Sequence, residues 1–182
     1  MNRTTNSRRN SRGFTLIELC TSVGICAALL GQAVPAMDRL RQEQKLRVSA
    51  QTLASDLRFA RSEAARTGES VYFRVGGRGA KACYVIYAGA RNDCDCSGGQ
   101  AVCQSPASQV IKTEWLPATQ PVRLSSNVET LEFQHRQGLV IQTGSIDLSL
   151  SNGTTMRQVV AITGRVRSCY AGNKVAGMPR CT

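Results

Sequence analysis

From Phe14 to Met37 the chain reads FTLIELCTSVGICAALLGQAVPAM, almost uniformly apolar with one acid, Glu18, near its start. As a helix this stretch would rise about 36 Å, enough to cross the hydrocarbon core of a bilayer. A carboxylate in that setting costs about 2.5–3.5 kcal/mol on insertion scales, so Glu18 needs a reason. Pro35 predicts a kink rather than an end. Over residues 38–68 the pattern changes. Leu46, Ala50, Leu53, Leu57, Ala60 and Ala64 recur at alternating spacings of four and three, which predicts an amphipathic helix closed by Gly68. Such a stripe is a seat for a domain rather than a cofactor site. From residue 69 onward the period falls to two. SVYFRV, ACYVIYA, VIKTEWL, PVRLS, TLEFQH, LVIQT, SIDLSL and MRQVVAITGRVRS read as strands, separated by Gly, Asn, Ser and Pro turns. One long helix followed by several short strands predicts an α+β chain, its helix packed on an antiparallel sheet or a two-sheet globular domain over 69–182.

Charge sharpens this picture. The 182-residue chain carries 23 basic and 12 acidic residues, a net charge of +11. Residues 1–13 hold Arg3, Arg8, Arg9 and Arg12 and no acid; without them the balance is 19 against 12, still +7. Those arginines keep the N-terminal side of the apolar stretch cytoplasmic. The excess is one-sided at the other end as well. No acid follows Asp147, while Arg157, Arg165, Arg167, Lys174 and Arg180 do. A segment of this kind suits an anionic partner such as nucleic acid or a membrane surface, or forms a solvated basic face.

Of the eight cysteines, Cys20 and Cys26 lie in the apolar stretch and read as small apolar residues that, with Gly24, Ala27, Ala28 and Gly31, permit close helix approach. The other six lie downstream, an even number that suits disulfides in an oxidising compartment. Cys169 and Cys181 stand apart at the C-terminus and are expected to bridge. Among Cys83, Cys94, Cys96 and Cys103 the expected pairing is Cys83–Cys94 and Cys96–Cys103, one of several connectivities the sequence leaves open. Four thiolates could hold zinc, but the spacing lacks the paired C-x2-C knuckles of common zinc folds, so no metal or other cofactor is expected. His135 is the only histidine, and no catalytic constellation is evident; the chain does not read as an enzyme. Arg78 in VGGRGAK lies in a Gly-rich segment without the G-K-[ST] ending of a phosphate loop, and a hairpin turn is the better reading.

The segment RGFTLIEL resembles the class III signal of type IV pilins and type II secretion pseudopilins, with Gly13 before the cut, Phe14 after it, Glu18 as the fifth mature residue and Pro35 interrupting the helix. The resemblance implies a leader peptide at 1–13, removed by a prepilin peptidase that methylates the new amino terminus. It implies a transmembrane helix at 14–37 that anchors the chain once in the inner membrane, globular domain in the periplasm, and later packs among other pilin subunits in a filament core. It also implies that Glu18 pairs with a neighbour's terminal amine during assembly. That would make the charge tolerable, since its partner shares the same low-dielectric place.

LASDLRFARSEAARTGESV and the strands after it are similar to the FimT/GspH family of minor pilins and pseudopilins. In a single strand, Val160, Ile162, Gly164 and Val166 would point one way and Thr163, Arg165 and Arg167 the other. The two arginines then project together as guanidinium forks suited to phosphate oxygens. Gly164 leaves room for a bulky polyanion, Lys174 and Arg180 extend the positive strip, and Tyr170 is placed to stack on a base. GRVR at Gly164–Arg167 matches the GRxR motif of FimT-type DNA-binding minor pilins. The resemblance implies capture of DNA for uptake in natural transformation. The alternative is a GspH-like pseudopilin of type II secretion, or a structural minor pilin priming fibre assembly, whose arginines contact another pilin.

Overall fold

The computed structural model describes residues 13, 15–77, 81–117, 119–136 and 138–181. Residues 1–12 of the expected leader at 1–13, Phe14 and Arg78 lie outside them, as do the side chains of Gln32, Ala33, Pro35 and Ala36. Helix α1 runs Leu16–Thr67 and is unbroken through position 35. The chain divides into two compact units, Met1–Leu40 and Arg41–Thr182.

In the first unit the helix begins on a local cap. The Glu18 amide donates to Thr15 Oγ1 at 3.4 Å, and Glu18 sits in the first turn. Thr15-Leu-Ile-Glu18 therefore has the T-x-x-E spacing of a capping box, and its carboxylate complements the positive end of the helix dipole. Leu16, Ile17, Leu19, Val23, Ile25, Leu29, Leu30 and Val34 are all exposed, as are the free Cys20 and Cys26. Among the described residues no helix is long and apolar enough to cross a membrane.

The second unit is built on the predicted stripe. Leu46, Ala50, Leu53, Leu57, Ala60 and Ala64 are each at most 1% exposed. The helix ends at Gly68, whose φ of +73° and amide bond to the Ala64 carbonyl close its last turn. Among the described residues ten strands follow: β1 Val71–Gly76, β2 Lys81–Ala88, β3 Cys94–Asp95, β4 Val102–Cys103, β5 Gln109–Pro117, β6 Arg123–Ser126, β7 Thr130–Phe133, β8 Gly144–Ser149, β9 Thr155–Val160 and β10 Val166–Tyr170. They form antiparallel sheets in the orders β5-β2-β1-β7 and β10-β9-β8-β6, with β3-β4 a separate ribbon. Phe73, Ile86, Leu131, Phe133, Ile146, Leu148, Met156 and Val160 join the helix stripe in one core.

Strand β2 is buried on both faces, which is why ACYVIYA reads as a nearly continuous apolar run. Its second face belongs to a smaller cluster of Tyr72, Cys83, Val85, Tyr87, Cys94 and Cys96. The cysteine-bearing loop covers that face, and its pairing differs from the expected one. The bridges are Cys83–Cys96, Cys94–Cys103 and Cys169–Cys181. Residues 90–93 are spent in a turn, with the Asp93 amide on the Ala90 carbonyl. The β3-β4 ribbon then sets Cys94 opposite Cys103, leaving Cys96 to reach β2. Sulfurs held in disulfides offer no thiolate to a metal, and this applies to the close group of Asp93, Cys94 and Cys103.

Two polar links fix the helix to the sheets. Buried Asp56 accepts from Tyr84 Oη at 2.8 Å and from Lys112 Nζ at 2.6 Å, tying α1 to β2 and β5. Buried Gln158 donates to the Ala50 carbonyl at 3.2 Å and accepts from Ser168 Oγ at 2.6 Å, tying α1 to β9 and β10. Two strand expectations need correction. LVIQT is not a strand; only Val140 bridges, to Phe133. MRQVVAITGRVRS is two strands with a tight turn over residues 161–165.

Candidate functional site

The turn between β9 and β10 decides how the arginines are presented. The Gly164 amide donates to the Ala161 carbonyl at 2.8 Å, and the Ala161 amide to the Arg165 carbonyl at 3.0 Å. Gly164 has φ +71°, a conformation that costs other residues steric strain. A Cβ placed there would meet the Gly138 carbonyl oxygen at 2.1 Å and Arg61 Nε at 2.9 Å. Gly164 is thus buried against a second turn, and its missing side chain serves that packing; the expectation that it clears space for a polyanion is corrected.

Beyond the turn, Val166 is 8% exposed while Arg165 and Arg167 are exposed. The alternation expected around Val166 therefore holds, although Arg165 precedes the strand. Strand β10 lies at the edge of its sheet. Across the ladder Arg167 faces Val159, which faces Ser145, so no carboxylate lies in that row. One row along, Arg157 donates to both Asp147 oxygens at 2.7 Å. That hydrogen bonding raises the Arg157 pKa and uses both groups. Arg157 is thereby removed from the basic strip, and the last acid before it is neutralised. The side chains of Arg165, Arg167, Lys174 and Arg180 form no hydrogen bond or ion pair with a described residue.

The C-terminal loop returns to the same strand. Tyr170 donates its amide to the Pro179 carbonyl at 2.9 Å and accepts from the Cys181 amide at 3.0 Å, and Arg180 bridges Tyr170 in parallel. With Cys169–Cys181 this pins Arg180 beside the end of β10, while Lys174 is exposed within the loop. Tyr170 is half-buried and packs against the main core.

Arg61 was not among the expected site residues. Its side chain lies against both Gly138 and Gly164, one residue from Arg165. The only sequence signal for it is its place on α1 three residues before Ala64, beside the buried stripe; the contact with the turn is tertiary. Of the residues expected to act in processing and assembly, Gly13 and Glu18 are exposed, and Phe14 lies outside the described residues.

The family model described as type II transport protein GspH matches residues 49–164. The match stops at Gly164, so Arg165 and Arg167 lie just beyond it. No curated protein matches the chain. Among solved structures, the type IV minor pilin FimU of Pseudomonas aeruginosa is similar at a TM-score of 0.51 and 16% identity, over 69% of this chain and 88% of FimU. The minor pseudopilin EpsH from the type 2 secretion system of Vibrio cholerae aligns at a TM-score of 0.44 and 12% identity, over 68% of this chain and 95% of EpsH. The helix packed on antiparallel sheets, together with a family match over more than half of the sequence, shows that the chain belongs to the GspH/FimT-type minor pilin family.

Proposed function

We propose that this minor pilin binds extracellular DNA without sequence preference through Arg165 and Arg167, with Lys174 and Arg180 adding attraction, and thereby supports DNA uptake in natural transformation. The observation that carries the reading is the pair of exposed arginines flanking buried Val166 on an edge strand, free of partners among the described residues. Contacts to phosphates position a duplex without reading its sequence. The role is structural and adhesive rather than catalytic. In the same reading a prepilin peptidase cuts after Gly13, and residues 14–37 anchor the chain in the inner membrane before packing among other pilin subunits. The row of exposed apolar side chains from Leu16 to Val34 supports such burial, and three disulfides support a periplasmic globular domain.

The test is a salt titration of the purified full chain on a random-sequence duplex. Each duplex phosphate neutralised contributes about −0.9 to the log–log slope. Arg165→Ala with Arg167→Ala is expected to weaken binding and make the slope shallower by about 1.8, with the fold intact because neither side chain is buried. A folded double variant that binds like the parent would defeat the assignment. No binding by the parent even at low salt would favour the purely structural pseudopilin.

A further inference from the structure

The helix supplies a second basic row on the other side of β10. Arg47, Gln51, Ala54, Arg58 and Arg61 recur at spacings of four and three, and the row contains no acid. Its first four members line an open groove of about 240 Å³ whose sheet side includes Gln158 and Ser168. Gln158 is 1% exposed, and its amide is held by Ala50 and Ser168, so the floor is fixed and polar. Arg47 closes one end by donating to the Ala176 carbonyl at 2.9 Å. At the other end Arg58 and Arg61 are exposed and have no hydrogen-bond or ion-pair partner among the described residues. The nearby helix acids are spent: Asp56 on Tyr84 and Lys112, Glu63 on Arg66.

Strand β10 therefore has free cations on both sides. Arg167 stands on its outer face and Arg165 is exposed just before its first residue, while Ser168 points into the groove that Arg58 lines. Arg61 lies over the abutting Gly138 and Gly164 turns, where added Cβ atoms would approach its Nε at 2.8 and 2.9 Å. Glycine at both positions lets the guanidinium stem lie close to the backbone immediately before Arg165. Along the helix, Arg58 and Arg61 are separated by a rise of about 4.5 Å.

We infer that Arg58 and Arg61 of α1 are further phosphate-binding residues, so that DNA lies over the edge of β10 and is held from the helix as well as from the strand. This rests on the DNA-binding reading above. The salt titration of the full chain on a random-sequence duplex tests it with Arg58→Met and Arg61→Met. Methionine at 61 keeps an apolar stem over the glycine turns and loses only the charge. Each variant is expected to melt like the parent and to lower the slope by about 0.9; together they make the affinity lost between 50 and 200 mM salt about 12-fold smaller. Arg61→Lys is expected to keep the slope. Lys81→Gln, an equal charge change at the start of β2, is expected to leave it alone. The inference is overturned if both methionine variants keep the parental slope while the Arg165/Arg167 variant loses binding, an outcome that leaves the DNA reading intact. A Lys81→Gln effect as large as that of Arg61→Met would overturn it too, by showing a response to net charge alone. A parent that binds no DNA at low salt ends both readings.

Discussion

Removing the Asp56 carboxylate separates two contributions that a contact count would merge. Asp56 is 4% exposed and Tyr84 2% exposed, and they are joined by a buried hydrogen bond of 2.8 Å. Asp56→Ala strands the Tyr84 hydroxyl, and an orphaned buried polar group costs about 1–3 kcal/mol. Lys112 behaves differently. Its side chain is 39% exposed, so the ammonium turns to water and its half of the ion pair is worth about 0–1 kcal/mol. The expected loss is about 2–3 kcal/mol, below the 3–5 kcal/mol typical when a fully buried pair is broken. Urea denaturation of the full chain should show a lower midpoint at unchanged slope. Tyr84→Phe in the Asp56→Ala background removes the stranded hydroxyl, so it should cost less there than in the parent, with a coupling of about 1–2 kcal/mol. A loss under about 0.5 kcal/mol, or additive single variants, would refute the assignment of the energy to the Tyr84 hydroxyl.

The remaining predictions address pH, the turn and processing. Burial first, then its bond to the Asp56 carboxylate, pushes the Tyr84 pKa far above its ordinary value. Above about pH 10 the unfolded chain therefore loses a proton that the folded chain keeps, and stability falls by up to about 1.4 kcal/mol per pH unit for this group. Tyr84→Phe should flatten that alkaline limb in pH-dependent urea melts, and an unchanged limb would contradict the linkage. Gly164→Ala meets both a positive φ and the Gly138 carbonyl, and should cost more than the roughly 1–3 kcal/mol of strain alone. Gly177→Ala, at φ +76° with nothing within 4 Å, should cost only that strain, so equal melting temperatures for the two would remove the argument from close approach. Mass spectrometry of assembled protein should find N-methylated Phe14 as the first residue, and Gly13→Ala should block the cut. Glu18→Ala should be processed but incorporate poorly; an intact Met1 terminus or normal incorporation would count against the respective step.

Periodicity along the chain determined the helix stripe, its stop at Gly68 and most of the strands, because contiguous residues sharing one set of backbone dihedrals place their side chains at fixed intervals. The Cys169–Cys181 bridge was legible for a related reason, two cysteines isolated together at one end. Tertiary structure decided the rest. Cys83 bonds Cys96 rather than Cys94 because the β3-β4 ribbon claims Cys94 for Cys103. The run VVAITGRV keeps an apolar alternation through its turn, so periodicity alone hides the break at 161–165, where Gly164 at positive φ lies against the Gly138 carbonyl. Arg157 leaves the basic strip only because ladder register brings Asp147 beside it, and Arg61 reaches the Gly164 turn only because α1 packs against both turns. Local order follows from neighbours in sequence, whereas the partner of a sulfur or a charge is chosen by which elements the core brings together.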